Sequence, residues 1–201
     1  MTDNLMITIS RECGSGGHEI GRMLAKKLGI NVYDNEILTI AAKETGYDPS
    51  VFEAAEQKHT NAISMAIGVL SSERVYNMPL DNRLFNIQSS IIKTIADRES
   101  AVIVGRCADA VLDDYTPCVH IFIQGSEDIK AERVAKRQNM LKADAREYMK
   151  RTDKSRATYY NFYTDRKWGS RENYDIIINS DIGLEETTEI LADYINKLQK
   201  K

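Results

Sequence analysis

Residues 5–33 read LMITISRECGSGGHEIGRMLAKKLGINVY. Leu5-Met6-Ile7-Thr8-Ile9-Ser10 is a short apolar run, and it stops at a cluster of glycines, Gly14, Gly16 and Gly17. Apolar residues then recur at Ile20, Met23, Leu24 and Leu28, the spacing of one helix face. Gly29 ends that helix, and Asn31-Val32-Tyr33 reads as a brief second strand. The stretch is therefore strand, glycine loop, helix, strand, a βαβ unit. A glycine turn between a strand and a helix suits an oxyanion, because backbone N–H groups converge there and the helix start adds partial positive charge.

Strand patterns return only after residue 98. Ala101-Val102-Ile103-Val104 leads into Gly105-Arg106, Cys118 to Ile123 is a second run, and Tyr174 to Ile178 is a third. They are apolar at nearly every position, the pattern of parallel strands covered on both faces. Helical spacing fills the gaps at Glu127–Leu141 and Leu184–Leu198. Between residues 35 and 97 only helical stretches are read: Glu36–Thr45, one begun by Asp48-Pro49, Ala62–Ser71 and Leu84–Ile95. The expectation is one α/β domain in three α/β/α layers, with a five-stranded, mostly parallel sheet. Its core is residues 1–34, 98–139 and 172–201, with a helical insertion at 35–97 and a basic segment at 140–171.

The chain has 201 residues, 42% hydrophobic and 28% charged, enough for one core without disulfides or metals. No apolar run approaches the roughly 20 residues of a membrane span. Met1-Thr2-Asp3-Asn4 lacks the positive region of a signal peptide. Cys13, Cys107 and Cys118 form no CxxC pair, which predicts reduced thiols, no metal site and a cytoplasmic setting. The net charge of -3 hides an uneven distribution: residues 130–171 hold thirteen Lys/Arg against five Asp/Glu. Such a block favours an anionic ligand.

The usual phosphate-loop signature is G-x-x-x-x-G-K-[ST], whose lysine reaches the β- and γ-phosphates and whose hydroxyl holds magnesium. Here the loop is Arg11-Glu12-Cys13-Gly14-Ser15-Gly16-Gly17-His18-Glu19. In the ungapped register Arg11 takes the place of the first glycine and Gly17 that of the lysine. His18 and Glu19 take the hydroxyl positions. The Arg11 guanidinium can replace the missing charge; the His18 side chain adds to it only when protonated, with an ordinary pKa of about 6.5. Gly14, Ser15, Gly16, Gly17 and His18 are the candidate phosphate cradle, and a mere tight turn is the rival reading. The segment from Ile7 to Gly29 resembles the cytidylate kinase-like branch of the nucleoside-monophosphate kinases, whose loop carries Ile-Ser-Arg followed by Gly-Ser-Gly-Gly. The resemblance covers most of the chain in element order and is sharp at Ile7–Gly29, Ala101–Arg106 and Tyr174–Asn179. It implies a P-loop kinase-like fold with a lid, and transfer of the γ-phosphoryl of ATP, with Mg2+, to a small phosphorylated acceptor such as CMP.

Phosphoryl transfer needs converging positive charge more than covalent chemistry. Arg106 follows a strand and so lies at the carboxyl edge of the sheet, where ligands of open α/β folds bind. Arg133 and Arg137 are four residues apart, on one helix face. Arg151, Lys154 and Arg156 follow in the basic segment. The resemblance implies that Arg106 orients the acceptor monophosphate. It also implies that Arg133, Arg137, Arg151 and Arg156 clamp phosphates and that residues 35–97 bind the acceptor. Asp34 closes the second strand, either as a substrate-side carboxylate, which the resemblance favours, or as a helix N-cap.

Aromatics crowd the same basic stretch: Tyr159, Tyr160, Phe162, Tyr163 and Trp168. Stacking on a nucleobase or single strand competes there with simple packing; the overall acidic charge and lack of an RNA-binding motif argue against a polynucleotide. Cys13 reads as a loop filler or a thiol of lowered pKa. His59 and His120 lack metal-ligand spacing, and His120 falls in a strand. An absent loop lysine and hydroxyl keep a second reading open, a non-catalytic or regulatory nucleotide-binding protein.

Overall fold

The computed structural model describes residues 4–46, 48, 50 and 80–199. Strands β1 (Met6–Arg11), β2 (Asn31–Tyr33), β3 (Ala101–Val104), β4 (Cys118–Gln124) and β5 (Ile176–Asn179) form one sheet in the order β2-β3-β1-β4-β5. All four ladders are parallel, so the sheet is wholly rather than mostly parallel. The helices are α1 (Gly17–Leu28), α2 (Glu36–Thr45), α3 (Leu80–Arg98), α4 (Ala108–Val111), α5 (Glu127–Gln138), α6 (Lys142–Thr164) and α7 (Leu184–Leu198). The helices expected after Asp48-Pro49 and over Ala62–Ser71 lie outside the described residues.

Alternation along the strands divides the core into two faces. Ile7 and Ile9 point to one side with Val102, Val104, Ile121 and Ile123, against Ile20 and Leu24 of α1 and Leu191 and Ile195 of α7. Met6, Ala101 and Ile103 point to the other, against Ile37 and Leu38 of α2 and Leu84 and Ile92 of α3. Each fully buried Ile or Leu contributes roughly 1.5–3 kcal/mol to this three-layer packing. Polar Thr8 and Ser10 of β1 are buried as well, and both find partners: Thr8 Oγ1 with His120 Nδ1 at 2.8 Å, Ser10 Oγ with Asp109 Oδ1 at 3.5 Å.

Two sequence expectations change. Among the described residues β5 pairs only with β4 and alternates half-buried with exposed residues, Ile177 being 36% exposed, so it is an edge strand. The expected helix Glu127–Leu141 stops at Gln138, because Asn139 takes a left-handed φ of 51° and closes it. The chain then restarts as the 23-residue α6, which accounts for most of the basic segment. Ala145 and Met149 of α6 bury against Ala131 and Val134 of α5 and against Cys13. That packing lays α6 along the glycine loop.

Candidate active site

β1 lies between β3 and β4, where the strand order changes direction, and the carboxyl ends beside such a point form the ligand crevice of open α/β sheets. A cavity of about 1340 Å³ opens there. Among the described residues six cations line it: Arg11, Arg106, Arg137, Arg151, Lys154 and Arg156. They come from β1, the turn after β3, α5 and α6. The carboxylates in the wall, among the described residues, are Glu12, Glu19 and Asp34.

The glycine loop is held from behind. Ser15 Oγ donates to the Glu12 carbonyl at 2.9 Å, and the Ser15 carbonyl accepts from Ser180 Oγ at 2.6 Å and Arg133 Nη1 at 3.3 Å. A trans peptide turns its N–H opposite to its C=O, so anchoring the Ser15 carbonyl aims the Gly16 N–H away from that anchor. The N–H groups of Gly17, His18 and Glu19 open α1 and have no acceptor within the helix. Glu12 is fastened too: its carboxylate accepts from Lys130 Nζ at 2.6 Å and from the Gly125 N–H at 3.2 Å. Gly14, at φ 82°, has no room for a side chain, since a Cβ would lie 2.7 Å from the Lys130 carbonyl oxygen.

Arg11 and Gly17 are physically linked. A Cβ on Gly17 would stand 2.6 Å from Arg11 Cβ and 2.8 Å from its Cγ. The Arg11 stem therefore occupies the space that a lysine at 17 would need for its own stem. Its guanidinium continues toward the turn after β3, where a Cβ on Gly105 would meet Nη1 at 2.2 Å. That turn is unusual: Gly105, Arg106 and Cys107 all have positive φ, at 78°, 59° and 53°. Left-handed backbone at non-glycine residues costs about 1–3 kcal/mol each and concentrates at functional sites. It presents Arg106, whose Nη2 donates to Asn35 Oδ1 at 3.1 Å, to the cavity.

Asp34 is buried, and its carboxylate accepts a hydrogen bond from Nδ1 of His18. It does not cap α2; the N-cap is Asn35, with no side-chain cap bond. Of the expected phosphate clamps, Arg137, Arg151 and Arg156 reach the cavity wall. Arg133 does not line it: Nη1 donates to Ser180 Oγ at 2.9 Å and Nη2 to the Ser180 carbonyl at 2.8 Å, besides the Ser15 contact, so it braces the loop. The Ser15 side chain likewise turns inward, away from any ligand. Cys13 is the loop filler: burial pushes its thiol up, outweighing nearby Arg156. The aromatic stretch largely packs, with Tyr159 and Tyr160 buried near Cys107 and Phe85 stacked on Tyr163 at 4.4 Å, while Phe162 is exposed.

Several contributors were not singled out by sequence. Asp153 of α6 accepts from the Cys13 N–H at 2.8 Å and from Arg156 Nη1 at 3.2 Å, tying α6 to the loop. Asp109 accepts from Tyr160 OH at 2.6 Å, and burial holds its carboxyl above the ordinary range against that hydrogen bond. Lys130 was one charge among thirteen. No spacing pairs these residues, because partners such as Asp153 and Cys13 lie 140 positions apart.

The profile of the cytidylate kinase-like family matches residues 6–182. The chain belongs to that family. It is 23% identical over 177 residues to a cytidylate kinase from Haloarcula marismortui, covering 88% of this chain and 81% of that protein. A crystal structure of an uncharacterized protein from Eubacterium ventriosum superposes with a TM-score of 0.72 at 31% identity, covering 96% of this chain and 99% of the other. A shikimate kinase from Bacteroides thetaiotaomicron, 12% identical, gives a TM-score of 0.58 over 96% and 98% of the two chains and shares the P-loop kinase-like fold. Among the described residues, no helix is long and apolar enough to cross a membrane.

Proposed function

We propose that the chain is a kinase that transfers the γ-phosphoryl group of ATP to a small acceptor, with CMP as the acceptor that family membership suggests. The observation that carries this reading is the exchange of charge within the loop: Arg11 lies against the space of the absent lysine side chain at 17 and lines the same cavity. A guanidinium there meets the electrostatic need of a phosphoryl transfer, whose catalysis rests on positioning and positive charge. Three further arginines support it from outside the loop, Arg106, Arg137 and Arg151, with Arg156 and Lys154 beside them.

The cavity suits a polyphosphate: backbone N–H groups at the start of α1, glycines where side chains would clash, and cations from β1, the turn after β3, α5 and α6. Mg2+ would supply charge neutralisation on the β- and γ-phosphate oxygens, and it is commonly held by those phosphates, waters and one or two carboxylates. Thiols at Cys13, Cys107 and Cys118 that form no disulfide accord with a cytoplasmic enzyme.

The test is a coupled assay of ATP consumption with Mg2+, offering CMP, dCMP, UMP and AMP separately. Turnover above the acceptor-free background, lost at least tenfold in Arg106→Ala, is the expected result. ATP binding without turnover on these acceptors or on any small alcohol would instead support the non-catalytic reading, which the missing lysine and loop hydroxyl favour.

A further inference from the structure

The cavity contains an acid–base pair that transfer to a phosphate acceptor does not use. Of its wall carboxylates, Glu12 is neutralised by Lys130 at 2.6 Å, and Glu19 faces Arg137 at 3.8 Å. Asp34 is different. Its carboxylate is nearly buried and is bonded to Nδ1 of His18, whose ring is about a third exposed and lines the cavity. A carboxylate accepting from Nδ1–H selects the tautomer in which Nε2 of the neutral imidazole carries the lone pair. The ring's other polar atom is then a proton acceptor, held in a fixed orientation beside the start of α1, where the N–H groups for phosphate converge.

The acceptor's chemistry decides whether such a base has work to do. The oxygens of a phosphate monoester are largely deprotonated at neutral pH, its second pKa being about 6, so it attacks without help. A hydroxyl keeps its proton, with water itself near pKa ~15.7, and positioned base catalysis then contributes typically about 10²–10⁴-fold. Resting on the phosphotransferase part of the reading above and replacing its phosphate acceptor, we infer that the acceptor atom is a hydroxyl oxygen of a small polar alcohol, with His18 as general base and Asp34 as its positioning residue. Nε2 takes the hydroxyl proton as that oxygen bonds to the γ-phosphorus. The bond from the γ-phosphorus to the bridging oxygen breaks, ADP departs with that electron pair, and the imidazolium returns its proton to solvent. The products are an alkyl phosphate, ADP and one proton. Arg106, tethered to Asn35 next to Asp34, lines the same cavity.

The experiment follows products by phosphorus NMR with Mg2+ and ATP, using two acceptor sets on the full chain. One set is CMP, UMP and AMP, which would give new diphosphates. The other is cytidine, glycerol, serine, inositol and water itself, which give phosphomonoesters or free phosphate. ATP binding is measured separately by calorimetry. Transfer to a member of the hydroxyl set should exceed transfer to CMP at least tenfold. His18→Gln should lower it at least a hundredfold while ATP still binds, and free imidazole should restore activity at least tenfold to His18→Ala. CDP as the main product, with His18→Gln within threefold of wild type, overturns the inference and leaves the kinase reading standing. So does ATP binding with no transfer to any hydroxyl, or loss of ATP binding in His18→Gln, which would put the imidazole on the nucleotide. Failure of the wild-type chain to bind ATP removes the kinase reading itself, and this inference with it.

Discussion

Across the cavity, the glycine loop and helix α6 both present positive charge, but they hold it differently. Around the loop the polar groups are braced: Glu12 by Lys130, and the Ser15 carbonyl by Arg133 and Ser180. On α6, Arg151 and Lys154 line the cavity with no ion pair to a carboxylate among the described residues, while Asp153 and Arg156 of the same helix bond the loop. A loop that must aim N–H groups at a ligand needs fixed carbonyls and fixed side chains. A helix that only adds positive potential can leave long side chains solvated, where they adapt to the ligand at little structural cost. The loop should therefore fail structurally when altered, and α6 should fail only electrostatically.

The largest expected effect sits at the loop. Gly17→Lys alone forces a stem into the space of Arg11 and should lower turnover at least a hundredfold. The double variant Arg11→Gly/Gly17→Lys, which restores the common arrangement, should recover at least tenfold of that loss. No recovery would separate Arg11 from the role of the missing lysine. Next is Lys130→Ala, which strips Glu12 of its partner. Hydrogen bonds to charged groups are worth about 1.5–3 kcal/mol, so urea unfolding should register a loss of that order. A loss below about 0.5 kcal/mol would mean that the loop is not braced through Glu12.

Asp109 joins the two regions, since Ser10 at the loop and Tyr160 on α6 both bond it. Burial raises its pKa from an ordinary 3.8, so the folded chain keeps a proton that the unfolded chain has already released. Its ionisation thus lowers stability as pH rises through the raised value, and the penalty vanishes below the unfolded value. Melting curves of Asp109→Asn against wild type should diverge in favour of the variant as pH climbs from about 4 toward neutrality. A constant difference would show that the carboxyl titrates normally. The smallest structural effect belongs to Arg151→Ala. It should weaken ATP binding several-fold, less so at high salt, with stability within about 0.5 kcal/mol of wild type. A large loss of stability would erase the contrast between loop and helix.

The βαβ opening, the strand positions, Arg106 at the sheet edge and the glycine turn were all legible in the sequence, because each rests on neighbours within a few residues. Periodicity reports which face of a strand or helix is apolar, and glycine reports where backbone approaches closely. The sequence also showed that the lysine was gone and that Arg11 stood nearby. It did not show that the Arg11 stem fills the space at 17, since that follows from the closeness of strand and helix once the loop has turned. Tertiary structure alone paired His18 with Asp34, took Arg133 from the ligand to the loop carbonyl, made one long helix of the basic segment and left β5 at an edge. These outcomes depend on contacts between residues 16 to 165 positions apart, and local patterns carry no record of which distant partner satisfies a buried polar group.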